Sequence, residues 1–122
     1  MRRGNEFLVC RRPAHKRHGG LWEFPGGKTE PDESDTTAAA RELREELGVQ
    51  LVRADSAMFE VGDPDSPYVI AFVPVEIEGE PRCLEHDTMS WRRPGELLEL
   101  PLAPSDAAFA QFLFAKEKIQ RG

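Results

Sequence analysis

At 122 residues, 39% hydrophobic and 31% charged, the chain has the size and mix of one compact domain, residues 1–122, and not of a fibrous or disordered protein. Its net charge of −6 argues against a nucleic-acid polymer as partner, because binding a phosphate backbone needs a basic surface. Two cysteines, Cys10 and Cys83, lack CxxC spacing, and no apolar run is long enough for a signal peptide or a bilayer span; free thiols, no membrane and a cytoplasmic location are expected.

In chain order, Phe7-Leu8-Val9-Cys10 is a short strand-like run, followed by a polar loop from Arg11 to Gly20. Leu21-Trp22-Glu23-Phe24 alternates like a strand and stops at Pro25-Gly26-Gly27. From Ser34 to Leu47 the pattern is helical, with Ala38-Ala39-Ala40 giving high propensity and Gly48 where a C-cap belongs. Val49 to Val61 and Tyr68 to Ile77 read as two strands of a hairpin, joined by a turn from Gly62 to Pro67. A short strand around Met89-Ser90-Trp91 leads into a brief turn or helix at Gly95–Leu98, and Ser105 is placed to N-cap a last helix ending near Lys118. Charge is uneven along this path: residues 1–28 carry +5 and the remainder −11. That is scattered solubilising charge, or cations and metal ions that jointly hold a small polyphosphate.

Glu42, Glu45 and Glu46 stand at i, i+3 and i+4 of the predicted helix and share one side of it, within an arc of about 100°. Leu43 and Leu47 lie beside that patch and can enter the core. A solvated acidic face is the common explanation of such a run. Against it, Gly26-Gly27 precedes the helix and permits close ligand approach, and Arg41 can pair with a helix carboxylate or with Glu33. Oxygen ligands without His or Cys at short spacing suit Mg²⁺ or Mn²⁺ better than zinc.

The stretch Gly27-x5-Glu33-x7-Arg41-Glu42-Leu43-x-Glu45-Glu46-x-Gly48-Val49 resembles the 23-residue signature of the Nudix family, MutT-like hydrolases, at every signature position. The resemblance extends back through Arg11-Arg12-Pro13 and Gly20 to Lys28 and forward to Leu102-Ala103-Pro104-Ser105-Asp106, and is greatest to the oxidised-dGTP and CTP pyrophosphohydrolase subgroup. It implies Glu45 and Glu46 as principal metal ligands with the Gly26 carbonyl, and Glu42 as a further ligand or acceptor of the water's proton. Arg41 and Glu33 would form a supporting ion pair. Lys28 would sit near the phosphates and Arg12 near the nucleotide, with a solvated surface cation as the other reading of Arg12. Glu85, with Glu80 as competitor, matches the glutamate that relatives carry on a loop near the metals. Asp106 stands where relatives read the edge of the base, although an acid in a helix's first turn also suits the helix dipole. Phe24, with Trp22 and Phe72, would stack on a base or belong to the core. His86 has no identifiable partner in the sequence and reads as a surface residue.

The implied fold is α+β, an α/β/α sandwich around a mixed sheet, with its first strand missing or truncated because only Met1 to Glu6 precedes Phe7. The implied reaction is metal-dependent hydrolysis of a nucleoside triphosphate, an oxidised dGTP or a cytidine nucleotide, to monophosphate and pyrophosphate by a monomer or homodimer. Two rivals remain. One is a nucleoside diphosphate sugar hydrolase, hinted at by Pro64; the other is a catalytically silent module that binds nucleotide or protein, which would predict losses among the signature glutamates.

Overall fold

The structure, a computed structural model, describes residues 1–26, 32–63, 67 and 69–121. Its centre is β2 (Glu6–Arg11), in which Leu8, Val9 and Cys10 are all 0% exposed. A strand with one wet face would alternate; a continuous apolar run requires cover on both faces. Leu8 and Cys10 pack with Leu43 and Leu47 of α1 (Asp35–Leu47), whereas Val9 packs with Leu97 of α2 (Pro94–Leu97) and with Phe109 and Leu113 of α3 (Pro104–Arg121). The sheet is thus sandwiched between helices, which is the α/β/α arrangement expected.

β8 (Thr88–Arg92) runs antiparallel along one edge of β2. The other edge is shared by β1 (Arg2–Arg3) at one end and β3 (Trp22–Glu23) at the other. The opening strand is therefore present as two residues rather than missing. A parallel bridge between Trp22 and Leu102, with Trp22 N–H donating to Pro101 O and Ala103 N–H to Trp22 O, both at 2.9 Å, gives the sheet its mixed character. It also fixes the start of α3 beside β3.

The hairpin after α1 is more broken than its sequence suggests. β4 (Gln50–Ala54) pairs with β7 (Val75–Glu78), and β5 (Phe59–Gly62) pairs with β6 (Val69–Phe72). Between the two ladders Asp55 N–H donates to Pro74 O and Met58 N–H to Phe72 O, each at 2.9 Å. Pro74 has no N–H to return, so the ladder is interrupted there. The break lets the two halves serve different cores: Leu51, Val75 and Ile77 join the α1 side, and Met58, Phe59, Val61 and Ile70 the α3 side.

α1 ends at the expected Gly48 cap, and Ser34, expected as its first residue, is instead its N-cap. Ser34 Oγ accepts the Thr37 N–H at 3.1 Å, and Gly48, in the left-handed region at φ 68°, donates its N–H to Arg44 O at 3.0 Å. α3 begins two residues earlier than expected: Pro104 occupies its first turn, Ala103 O accepts the Ala107 N–H, and Ser105 is a buried helical residue rather than the cap.

Candidate active site

Arg41 organises the acidic side of α1. Its guanidinium meets Glu33 in a two-bond fork, Nε to Oε2 at 2.8 Å and Nη2 to Oε1 at 3.0 Å, and Nη1 donates to Glu42 at 2.8 Å and Glu45 at 3.3 Å. One planar cation with five donors thus holds three carboxylates and ties the segment before the helix to it. Glu45 is the outermost of these acids, with a side chain 47% exposed.

Glu46 is placed differently. It lies on the core side of the helix, beside Leu43 and Leu47, and is 3% exposed. Its Oε2 accepts the Gly26 N–H at 3.1 Å, across a chain turn that Gly26 makes at φ 152°. Burial, then the neighbouring charges of Glu42 and Glu23, push its carboxyl up to about 9. Two ligand-bearing neighbours complete the pocket: His86 Nε2 lies 2.8 Å from Glu23 Oε2 and 3.6 Å from Glu46 Oε1. Glu23, buried as it is, is held below the usual carboxylate range because hydrogen bonds from His86 and from Arg12, at 2.7 Å, outweigh desolvation.

Glu23, Glu46 and His86 offer ligand atoms all within 4.8 Å of one another, the group of described residues that can hold a metal ion. The donor set fits a divalent cation on a physical ground. A carboxyl buried against like charges is driven to keep its proton, and a cation in the same place removes that penalty. The second ring nitrogen of His86, Nδ1, is buried with no hydrogen-bond partner among the described residues.

Beside β3 a cleft of about 1390 Å³ runs past Arg12, Glu23, Phe24, Gly26, Asp106 and Phe109. Asp106 sits in the first turn of α3 and accepts the Phe24 N–H at 2.9 Å. Burial raises its carboxyl to about 7, reinforced by the charge of Glu23 and opposed by the Phe24 N–H and by Arg12. Phe72 is a core residue, stacked on Phe109 at 4.2 Å and 8% exposed. Phe24 packs edge-on against both, with centroids 4.9 Å from Phe109 and 5.8 Å from Phe72, and still lines the cleft.

The remaining expected residues divide clearly. Arg12 is no freely solvated cation: it bonds Glu23 and donates to Arg17 O at 2.9 Å. Glu85 is exposed, yet close enough to Glu46 for its charge to raise that carboxyl. Glu80 lies away from this centre, 3.3 Å from Arg3 on β1. Lys28, Gly27 and Pro64 lie outside the described residues. The reading of His86 as a surface residue is overturned: its side chain is 5% exposed and bonded to Glu23. Sequence reasoning also passed over Glu23 as a site residue. Its signal was strand alternation, which sends Trp22 and Phe24 to the α3 side and Glu23 to the α1 side, in register with Cys10.

Fold and site together define a Nudix pyrophosphohydrolase-type enzyme. The NUDIX domain model matches residues 1–113, and the chain belongs to that family. It is 39% identical over 116 residues to the CTP pyrophosphohydrolase of Escherichia coli K12, covering 93% of this chain and 85% of the relative. It is also 36% identical over 91 residues to the 8-oxo-dGTP diphosphatase of the same organism, covering 71% and 69%. Among solved structures, the solution structure of the E. coli ORF135 protein superposes with a TM-score of 0.78 at 35% identity, covering 98% of this chain and 86% of that one. Among the described residues, no helix is long and apolar enough to cross a membrane.

Proposed function

We propose that the protein hydrolyses a nucleoside 5′-triphosphate, carrying cytosine or an oxidised guanine, to the monophosphate and pyrophosphate with Mg²⁺ or Mn²⁺. The observation that carries this reading is the buried Glu46 carboxyl, with Glu42, Glu23 and His86 around it, next to a cleft lined by Glu23, Gly26 and Asp106. The names of the similar proteins support the choice of base.

When bound, the divalent ion supplies charge neutralisation on the phosphate oxygens and a more acidic water. Glu45, Glu46, Glu42 and the Gly26 carbonyl would be the ligands in this reading, sharing only Glu46 with the Glu23–Glu46–His86 group, in which Glu23 and His86 are bonded to each other, and Glu42 or Glu85 would accept the water's proton. Water oxygen forms a bond to phosphorus as the bridging P–O bond breaks, and the bridging oxygen leaves with the departing phosphate group. Arg41 and Glu33 keep the acids at fixed spacing through the fork described above, and Lys28 is the cation assigned to the phosphates. At the other end, Asp106 has one oxygen engaged by the Phe24 N–H and the carboxyl still at the cleft. Ionised, it accepts from an exocyclic amine such as cytosine N4; protonated, it also donates. Phe24 borders the place where the base ring would lie.

The test is a nucleotide panel containing CTP, dCTP, 8-oxo-dGTP and ADP-ribose, with Mg²⁺ or Mn²⁺, in which pyrophosphate and phosphate are measured separately. Pyrophosphate from one triphosphate, abolished by Glu46→Gln, is the expected result. Turnover of ADP-ribose alone would replace the reading with the diphosphate-sugar one. No turnover by folded protein would leave a binding module.

A further inference from the structure

We propose that His86 is a positioning residue for this reaction: its ring clamps the loop that carries Glu85 onto Glu23 and beside Glu46, and so sets where the Glu85 carboxylate stands relative to the α1 acids. The inference rests on the pyrophosphohydrolase reading and adds to it a residue outside the Nudix signature.

The loop between β7 and β8 is fastened to the catalytic helix itself. Arg82 N–H donates to Leu47 O and Leu84 N–H to Glu46 O, both at 3.0 Å. These are carbonyls of the last turn of α1, which have no partner within the helix. At its far end the loop is held by Asp87, whose N–H donates to Arg11 O at 3.0 Å and whose carboxylate meets Arg11 at 2.8 Å. Glu85 and His86 fall between these fastenings. Glu85 projects into solvent, and its neighbour turns inward, so the ring of His86 is what pins this step of the chain to β3.

The chemistry of the ring favours a clamp over filler. An ionised Glu23 only accepts, so Nε2 carries the proton and donates at 2.8 Å. The 3.6 Å to Glu46 is too long for a hydrogen bond, so the ring leaves the Glu46 carboxylate available while standing against it. Nδ1 is buried without a partner among the described residues, a cost that an apolar side chain of similar size would avoid. Nε2 is the function that repays the burial. Through Glu23, bonded in turn to Arg12, the ring joins the loop to the residue at the nucleotide end of the cleft.

The experiment compares wild type, His86→Leu, which keeps bulk and removes the donor, and His86→Gln, whose amide nitrogen reaches about where Nε2 stands. The activity arm uses the triphosphate turned over by wild type with Mg²⁺. His86→Leu should lower kcat by about 10-fold or more with little change in KM, and His86→Gln should recover most of it. In a Glu85→Gln background His86→Leu should add little, because both act through one group. In metal-free protein, hydrogen exchange at the Leu84 and Asp87 amides should quicken in His86→Leu while amides in the middle of α1 stay protected. Wild-type kcat in His86→Leu, full additivity with Glu85→Gln, or exchange quickened throughout α1 would each overturn the proposal. Wild type that turns over no nucleotide fails the underlying reading instead, and the clamp falls with it.

Discussion

On the α3 side of β2, Val9 meets Phe72, Leu97, Phe109 and Leu113, and five phenylalanine rings interlock from Phe24 to Phe112 with centroids 4.2 to 6.2 Å apart. On the α1 side, Leu8 and Cys10 meet Leu43 and Leu47, but Glu46 stands in the same layer with Glu23 and His86 against it. The first face gains stability from every apolar side chain it buries. The second sets a buried carboxyl among like charges, which costs stability in the absence of a cation and creates affinity for one. A single strand thus separates a hydrophobic store of folding energy from a site that draws on it, and substitutions on the two faces should fail in different ways.

Glu46→Gln should have the largest effect and should split activity from stability. Removing the carboxylate should lower kcat by roughly 100-fold or more. In metal-free protein at alkaline pH the same change should raise Tm. The sign follows from the direction of the shift: a carboxyl raised to about 9 in the folded state favours folding while protonated, and that contribution is lost as pH rises toward 9. Adding Mg²⁺ should stabilise wild type and reverse the order of the two proteins. A metal-free Glu46→Gln less stable than wild type at pH 9 would mean that the site is not under electrostatic load.

Matched core truncations sharpen the contrast. Leu47→Ala and Leu113→Ala each remove a leucine exposed by no more than 4% and should each cost about 2–5 kcal/mol in denaturant unfolding. Only Leu47→Ala removes the support beside Glu46, so only it should also lower kcat at a temperature where both are folded. Equal kinetic losses would show that the two cores are coupled more tightly than their separation by β2 implies. Arg41→Lys should come next: a point charge cannot reproduce the fork to Glu33 while holding Glu42 and Glu45, and about a 10-fold loss in kcat is expected, with apparent metal affinity falling alongside.

The legible part of this contrast was the helical part. The cap at Gly48, the leucine stripe and the shared side of Glu42, Glu45 and Glu46 follow from a period of 3.6 and from local chemistry, so a window of fifteen or so residues contains them. The sequence spacing does not reveal that Glu46 is buried while Glu45 is half exposed; that depends on which neighbours close over the helix. His86 was opaque for the same reason. Its partner Glu23 is 63 residues away, and only the pairing of β2 with both β3 and β8 brings them together. The split hairpin had one local sign, Pro74, whose missing N–H interrupts a ladder.

The smallest effect on turnover is expected at Asp106, a partly buried acid on the aromatic side. Asp106 lies within the cleft at the start of α3, and burial raises it to about 7, well above an unfolded aspartate near about 3.9. Between these values the folded chain holds a proton that the unfolded chain has released, so the contribution of this group to stability is full below about pH 4 and is lost as pH rises through about 7. Asp106→Asn keeps an oxygen to accept the Phe24 N–H and cannot ionise. The stability difference between wild type and Asp106→Asn should therefore move against wild type by up to about 1.4 kcal/mol per pH unit across this window and level off above it, read from denaturant titrations at several pH values. The same substitution should flatten the rise of kcat/KM through about pH 7 for a cytosine nucleotide, because only the ionised carboxylate is an acceptor at both oxygens. A flat stability difference would mean that Asp106 is already ionised at acid pH and acts chiefly as the first-turn partner of the helix dipole, leaving the aromatic face with no electrostatic part in choosing the base.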